Sequence, residues 1–169
     1  MSIQDFLNNS RYKHCESIRI NWKFFTDNNQ LEYEDKPLNI RFKEEVESSY
    51  KANEVFKVIL RGNLSNYSSR KSLSEHDLFK SNSSCDSNGN LSRGYQIKPP
   101  RYKYAILNHY SSKSIKEYCE KIKKRGNGFF NLVLDNRLIS QYFDLFFRQN
   151  KKTKDKVAIF NKEFNSSFN

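Results

Sequence analysis

Residues Ala105 to Gly126 read AILNHYSSKSIKEYCEKIKKRG, and the change of period inside this stretch decides the fold class. From Lys103, KYAILNHY is a short apolar run of strand type. After Ser114 the apolar residues recur at Ile115, Tyr118, Cys119 and Ile122, the i, i+3, i+4, i+7 spacing of a helix with one buried face. Ser114 and Glu117 stand in capping-box register, with Ser111 and Ser112 as rival caps, and Gly126 ends the helix. A strand feeding a helix aims the helix's free N–H groups and positive dipole end at the strand's C-terminal edge, where anions bind. Lys113, in the predicted first turn, opposes the dipole but adds to the attraction for an anion. Lys121, Lys123, Lys124 and Arg125 fall in later turns, where the dipole favours cations without any ligand. His109, at the strand end, reads as a core histidine on spacing alone, with a neutral metal ligand or a base as alternatives.

Outward from this segment, SIRINWKFF alternates Ile18, Ile20, Trp22 and Phe24 with Arg19, Asn21 and Lys23, a half-buried strand. SIQDFLNN is a short helix capped by Ser2, with Ile3, Phe6 and Leu7 on one face. TDNNQ, from Thr26, is a turn of residues that bond their own backbone and tolerate left-handed conformations. LEYEDKPLNIRFKEEV runs through a Pro-marked loop toward a segment predicted helical at its end. EVFKVILRG is a second strand, stopped by Gly62. Leu64 to Pro100 is hydroxyl- and Asn-rich and predicts a long loop, a length more often functional than merely connecting. NLVLDNRLISQYFDLFFRQN predicts a last amphipathic helix with Leu134, Leu138, Tyr142, Leu145 and Phe146 along one side. Residues 150–169 predict a basic, frayed tail. The domain reading is one unit over 1–149, with 64–100 as its loop.

The 169 residues carry a formal net charge of +11, which points to anionic partners. Mean hydropathy is −0.90, yet aromatic residues make up 15%, enough to supply a core and to argue against wholesale disorder. No segment reaches the roughly 18 consecutive apolar residues of a membrane span, and the N-terminus lacks a charged-then-apolar signal layout. Cys15, Cys85 and Cys119 are odd in number and widely spaced, so reduced thiols in a cytoplasmic protein are the expectation. A zinc site from these cysteines with His14 or His76 gains no support from the spacing.

NHYSSKSIKEYCEKIKKRG (108–126) resembles a His-Tyr, two residues, Lys-Ser, helix, Lys, Arg-Gly signature. That signature lies near the C-terminus of glycosyltransferase family 92 proteins and bacterial family-2-like relatives of GT-A type. Upstream, residues 3–42 are similar to that family's block of helix, aliphatic-Asn-Trp strand, Asp-Asn turn and Arg-Phe, and FKVILRG to its Lys-containing strand. His76 and DSNGN occupy places where such proteins carry a His and an Asn-Gly turn. The matches run in order from Ile3 to Gly126. The fold class so implied is mixed α/β, the C-terminal portion of a GT-A-like nucleotide-sugar transferase.

The resemblance implies sugar transfer from a uridine diphosphate sugar to a glycan or lipid-linked acceptor. His109 would ligate a divalent metal, Mn²⁺ in first place, and Lys113, Lys121 and Arg125 would face the donor diphosphate, whose charge grows as the glycosidic bond breaks. Asp27 is the first choice for a base on the acceptor hydroxyl, with Glu44 and Glu32 behind it. The departure is that no Asp-x-Asp motif occurs anywhere in the sequence. The expectation is therefore a chain inactive without a separate N-terminal half, prone to self-association through uncovered apolar faces. Two other classes compete. A nucleic-acid-binding module fits the charge and aromatics but lacks recognisable motifs. A membrane-surface module would attach weakly through RQNKKTKDK and the Phe-rich tail.

Overall fold

A computed structural model of the chain describes residues 2–61, 83–125, 133–165 and 168. Its elements, in chain order, are α1 (Ile3–Leu7), β1 (Ser17–Phe24), α2 (Leu38–Arg41), β2 (Phe56–Leu60), β3 (Ser84–Asp86), β4 (Leu107–His109), α3 (Ile115–Lys124), α4 (Asn136–Phe147) and α5 (Lys154–Phe164). The fold is mixed α/β, with a mixed sheet in the order β2-β1-β3 and β4 also pairing with β1. The chain divides into two compact units, Met1–Lys23 with Ser48–Asn108 and Phe24–Glu47 with His109–Asn169. Each unit is assembled from two separated stretches, a grouping that local periodicity cannot express.

In the first unit β1 runs antiparallel to β2, with Ile18 opposite Ile59, and parallel to β3, with Ile18 opposite Cys85. Phe6, Tyr12, Cys15, Ile18 and Cys85 form its core. The alternation in β1 predicts one wet face, and that expectation fails: Arg19 and Asn21 are fully buried. Asn21 Nδ2 donates to the Asn53 carbonyl at 3.1 Å while its Oδ1 accepts from the Arg101 N–H at 3.0 Å. Arg19 donates to the Gly94 carbonyl at 3.1 Å and lies over the Phe56 ring, and burial pushes its guanidinium below its ordinary pKa. Buried polar groups with partners are tolerated where unpartnered ones are costly.

Cys15 and Cys85, expected as reduced thiols, are joined in a disulfide across a sequence separation of 70. Parallel pairing of β1 with β3 brings them together, which no spacing rule reveals. Part of the predicted 64–100 loop is strand β3; residues 62–82, with His76, lie outside the described residues, as does Gly126.

The second unit packs α3, α4 and α5 through Ile115, Tyr118, Cys119, Ile122, Ile139, Phe143, Phe146 and Phe160. The α3 face is the predicted one. On α4 the buried set is Ile139, Phe143 and Phe146, rotated from the predicted stripe, and Leu145 is 41% exposed. The expected frayed tail is largely helix: Thr153 caps α5, and Lys156 and Phe160 are buried one turn apart. A lysine on the buried face disguises the amphipathic period. Its ammonium is held by the Asp27 carboxylate at 2.7 Å and donates to Asn29 Oδ1 at 3.1 Å and the Lys151 carbonyl at 3.0 Å. The TDNNQ turn forms as expected, with Asn28 and Asn29 left-handed at φ 48° and 57°.

Candidate functional site

Ser114 sets the site by starting α3. Its hydroxyl accepts from the Glu117 N–H at 3.3 Å, and the Glu117 carboxylate reaches back to the Ser114 N–H at 3.3 Å, completing a capping box. The helix therefore begins at Ile115, after Lys113 rather than around it. Lys113 stands ahead of the cap at φ 55°, outside the first turn. From there the polar side of α3 presents residues at helical spacing, away from the buried face at Ile115, Tyr118, Cys119 and Ile122.

That side borders a cleft of ≈ 680 Å³ in the second unit. Four cations line it, Lys113, Lys121, Lys124 and Arg125, together with the carboxylates of Glu117 and Glu120 and the hydroxyl residues Tyr33, Tyr110, Ser111 and Ser112. Glu117 is committed elsewhere: the buried Arg41 guanidinium holds both of its oxygens. Burial works to raise the Glu117 pKa, but hydrogen bonds from Arg41 and Ser114 outweigh it and hold the carboxyl below its ordinary value. With that carboxylate bound by Arg41, the cations outweigh the remaining acidic charge of the cleft. Lys113 Nζ stays 3.9 Å from Glu117, a loose pair.

Lys121 donates to the Ser111 carbonyl at 2.8 Å. Desolvation, followed by the like charges of Arg125 and Lys113, pushes its pKa down to about 8. A lysine so placed loses part of its charge near neutral pH unless an anion arrives to support it. Ser111 is fixed in turn by its 2.6 Å bond to Gln149 Oε1. Tyr110 rests against Phe25 at 5.0 Å and Phe42 at 6.1 Å between ring centroids, which anchors that wall.

Lys113, Lys121 and Arg125 line one cleft, and His109 is not among its lining residues. His109 is half-buried with its ring 4.5 Å from that of Phe24, the core-type placement. Among the described residues, one group of three His, Cys, Asp or Glu side chains can share an ion, His14 with Cys15 and Cys85. No such group among the described residues includes His109, where the resemblance implies Mn²⁺.

Asp27 is corrected from base to anchor. Buried against Lys156, its Oδ1 accepts from the Asn29 N–H and its own N–H donates to Asn150 Oδ1. No acceptor hydroxyl can reach a carboxylate so enclosed. Glu44 is exposed on the loop after α2, its N–H donating to Asn28 Oδ1 at 3.0 Å, and Glu32 is exposed and paired with Lys116 at 2.6 Å. Neither lines the cleft.

The sequence reading missed Tyr33, Arg41 and Glu120 and assigned Lys124 to helix electrostatics alone. The 113, 117, 121, 124 progression placed Lys124 on one polar face and could have flagged it. Nothing local signalled Tyr33, and Arg41 was visible only as part of the Arg-Phe pair of the resemblance, with no role attached. No protein-family model, curated protein or solved structure matches this chain.

Proposed function

We propose that this chain contributes donor binding to a glycosyltransferase of GT-A type, the α3 cleft taking the diphosphate of a uridine diphosphate sugar. The observation that carries this reading is the convergence of Lys113, Lys121, Lys124 and Arg125 on one cleft, while Arg41 ties down the carboxylate of Glu117. The ordered resemblance from Ile3 to Gly126 supplies the transferred class, a sugar on a nucleotide. Two adjoining phosphates match a row of separated cations better than a single carboxylate would. Tyr33, 61% exposed at the rim, offers a ring face to a base or a sugar.

During transfer, Lys113, Lys121, Lys124 and Arg125 would oppose the charge that builds on the leaving diphosphate. No step is routed through a metal: among the described residues His109 belongs to no group of three His, Cys, Asp or Glu side chains that could share an ion. Transfer also requires an acceptor base, and the buried Asp27 does not supply it.

Calorimetric titration of the full chain with uridine diphosphate, uridine monophosphate and uridine tests the reading. Affinity should fall in that order, weaken with salt, and drop roughly tenfold for each of Lys113→Met and Lys121→Met, the worth of one charge-assisted hydrogen bond. Equal binding of mono- and diphosphate, or variants that bind as the wild type does, would overturn it. Tight binding of single-stranded nucleic acid in preference to the nucleotide would replace it with the alternative class.

A further inference from the structure

The first unit holds a cluster that the transferase reading does not use. His14 Nε2 lies 3.5 Å from Cys85 Sγ, and the ligand atoms of His14, Cys15 and Cys85 all fall within 4.8 Å of one another. Backbone pairing holds the two cysteines in place: Cys85 sits within β3, and Cys15 precedes β1, whose Ile18 is the register partner of Cys85. Their Cα atoms are 5.7 Å apart. His14 is exposed, while both cysteines are buried. A second cleft, of ≈ 270 Å³, is lined in part by Cys15.

From this juxtaposition we infer that His14, Cys15 and Cys85 form a redox-gated site for a thiolate-preferring divalent cation, Zn²⁺ by class. With the disulfide closed, neither sulfur is a thiolate and the site binds no ion. A dithiol reductant opens it. One of its thiolates attacks Cys15 Sγ, the sulfur–sulfur bond breaks, and Cys85 leaves as a thiolate beside His14. The second thiol of the reductant then attacks the mixed disulfide, freeing Cys15 and departing as an oxidised disulfide. Two electrons and two protons have passed to the protein. Zn²⁺ displaces both thiol protons to solvent and takes two sulfurs and the imidazole nitrogen, with water in the fourth tetrahedral position. Two thiolates and a neutral imidazole carry a charge of −2, which the ion neutralises. The pattern is one soft-ligand site with two exclusive states, bridged and metal-loaded.

The test uses the full chain and Co²⁺ as a spectroscopic stand-in for Zn²⁺. After reduction with a phosphine, which does not itself offer a thiol ligand, the chain should take up one equivalent of Co²⁺. Binding should give sulfur-to-cobalt charge-transfer absorption in the near ultraviolet and the intense visible bands of a tetrahedral site. Zn²⁺ should bleach both. The unreduced chain should show neither band, and when denatured without reductant it should expose one thiol, Cys119, rather than three. His14→Ala alters an exposed side chain, so folding should persist while the Co²⁺ affinity falls by about tenfold or more. The Cys15→Ser and Cys85→Ser variants should lose the charge-transfer band in proportion to the sulfur removed. Identical spectra for reduced and unreduced chain, or a His14→Ala variant that binds Co²⁺ as tightly as wild type, would overturn the proposal. Three free thiols in the unreduced chain would overturn its redox gate.

Discussion

Replacing Lys156 by Met should be the most damaging single change in the second unit. Lys156 is wholly buried, 2.7 Å from a carboxylate that is itself 2% exposed, and its remaining donors are used on Asn29 and Lys151. At 2.7 Å and an effective dielectric constant of about 20, the attraction is roughly 6 kcal/mol, most of which offsets the desolvation of the two charges. Net worth and cost of disruption therefore differ. Removing the ammonium alone leaves Asp27 charged in a dry pocket and two acceptors without a donor, a loss of about 3–5 kcal/mol. Asp27→Asn with Lys156→Met removes both charges at similar volume and should recover most of that loss. Urea unfolding measures this directly: at a slope of about 2 kcal/mol per molar, the single variant's midpoint should fall by roughly 2 M and the double variant's by well under half of that. The reasoning fails if the single variant shifts as little as a surface substitution, about 0.5 kcal/mol, or if the two single losses simply add in the double variant.

Four further outcomes follow from the site and the sequence. Nucleotide affinity should decline as pH rises through about 8, where Lys121 loses its proton, and Lys121→Met should flatten that decline. The same shift has the opposite sign for folding. A lysine whose folded pKa lies below its unfolded value binds fewer protons when folded between those values, so its contribution to stability rises with pH across that window. Ser114→Ala removes the capping box of α3 and should cost about 1 kcal/mol, read as a urea midpoint shift together with loss of Glu117's hold on its cap. Because no Asp-x-Asp motif occurs in the sequence, the chain incubated with a uridine diphosphate sugar, Mn²⁺ and a glycan acceptor should show no sugar transfer; adding a polypeptide that carries such a motif should restore it if the transferase reading holds. Transfer by the chain alone would show that the motif is dispensable here.

The alternation of Ile18, Ile20, Trp22 and Phe24 placed β1 by residue type, although burial along the strand does not alternate, and the switch of period at Ser114 placed α3, whose buried face is a local regularity. The cap at Ser114 and the left-handed turn at Asn28 and Asn29 followed for the same reason, as each is settled within four residues. The α4 stripe was legible only in outline, since Leu138 and Leu145 are as apolar as Ile139 and Phe143 and contacts alone rank them. Helix α5 was missed because its buried face includes Lys156, and a buried ammonium makes sense only beside Asp27, which lies far away in sequence. The same holds for Asp27 itself, whose turn chemistry was visible while its enclosure was not.

The resemblance grouped the cations Lys113, Lys121 and Arg125, while sequence by itself determined the mixed α/β class and the strand-to-helix segment. Those properties are written in spacing and residue type. Tertiary structure alone decided that Lys124 joins them at one cleft, that Arg41 takes up the charge of Glu117, that His109 stands against Phe24, and that Cys15 meets Cys85 beside His14. Each of these depends on which distant segments share a surface. That choice is made by strand pairing and by the burial of apolar area, neither of which a local pattern can specify.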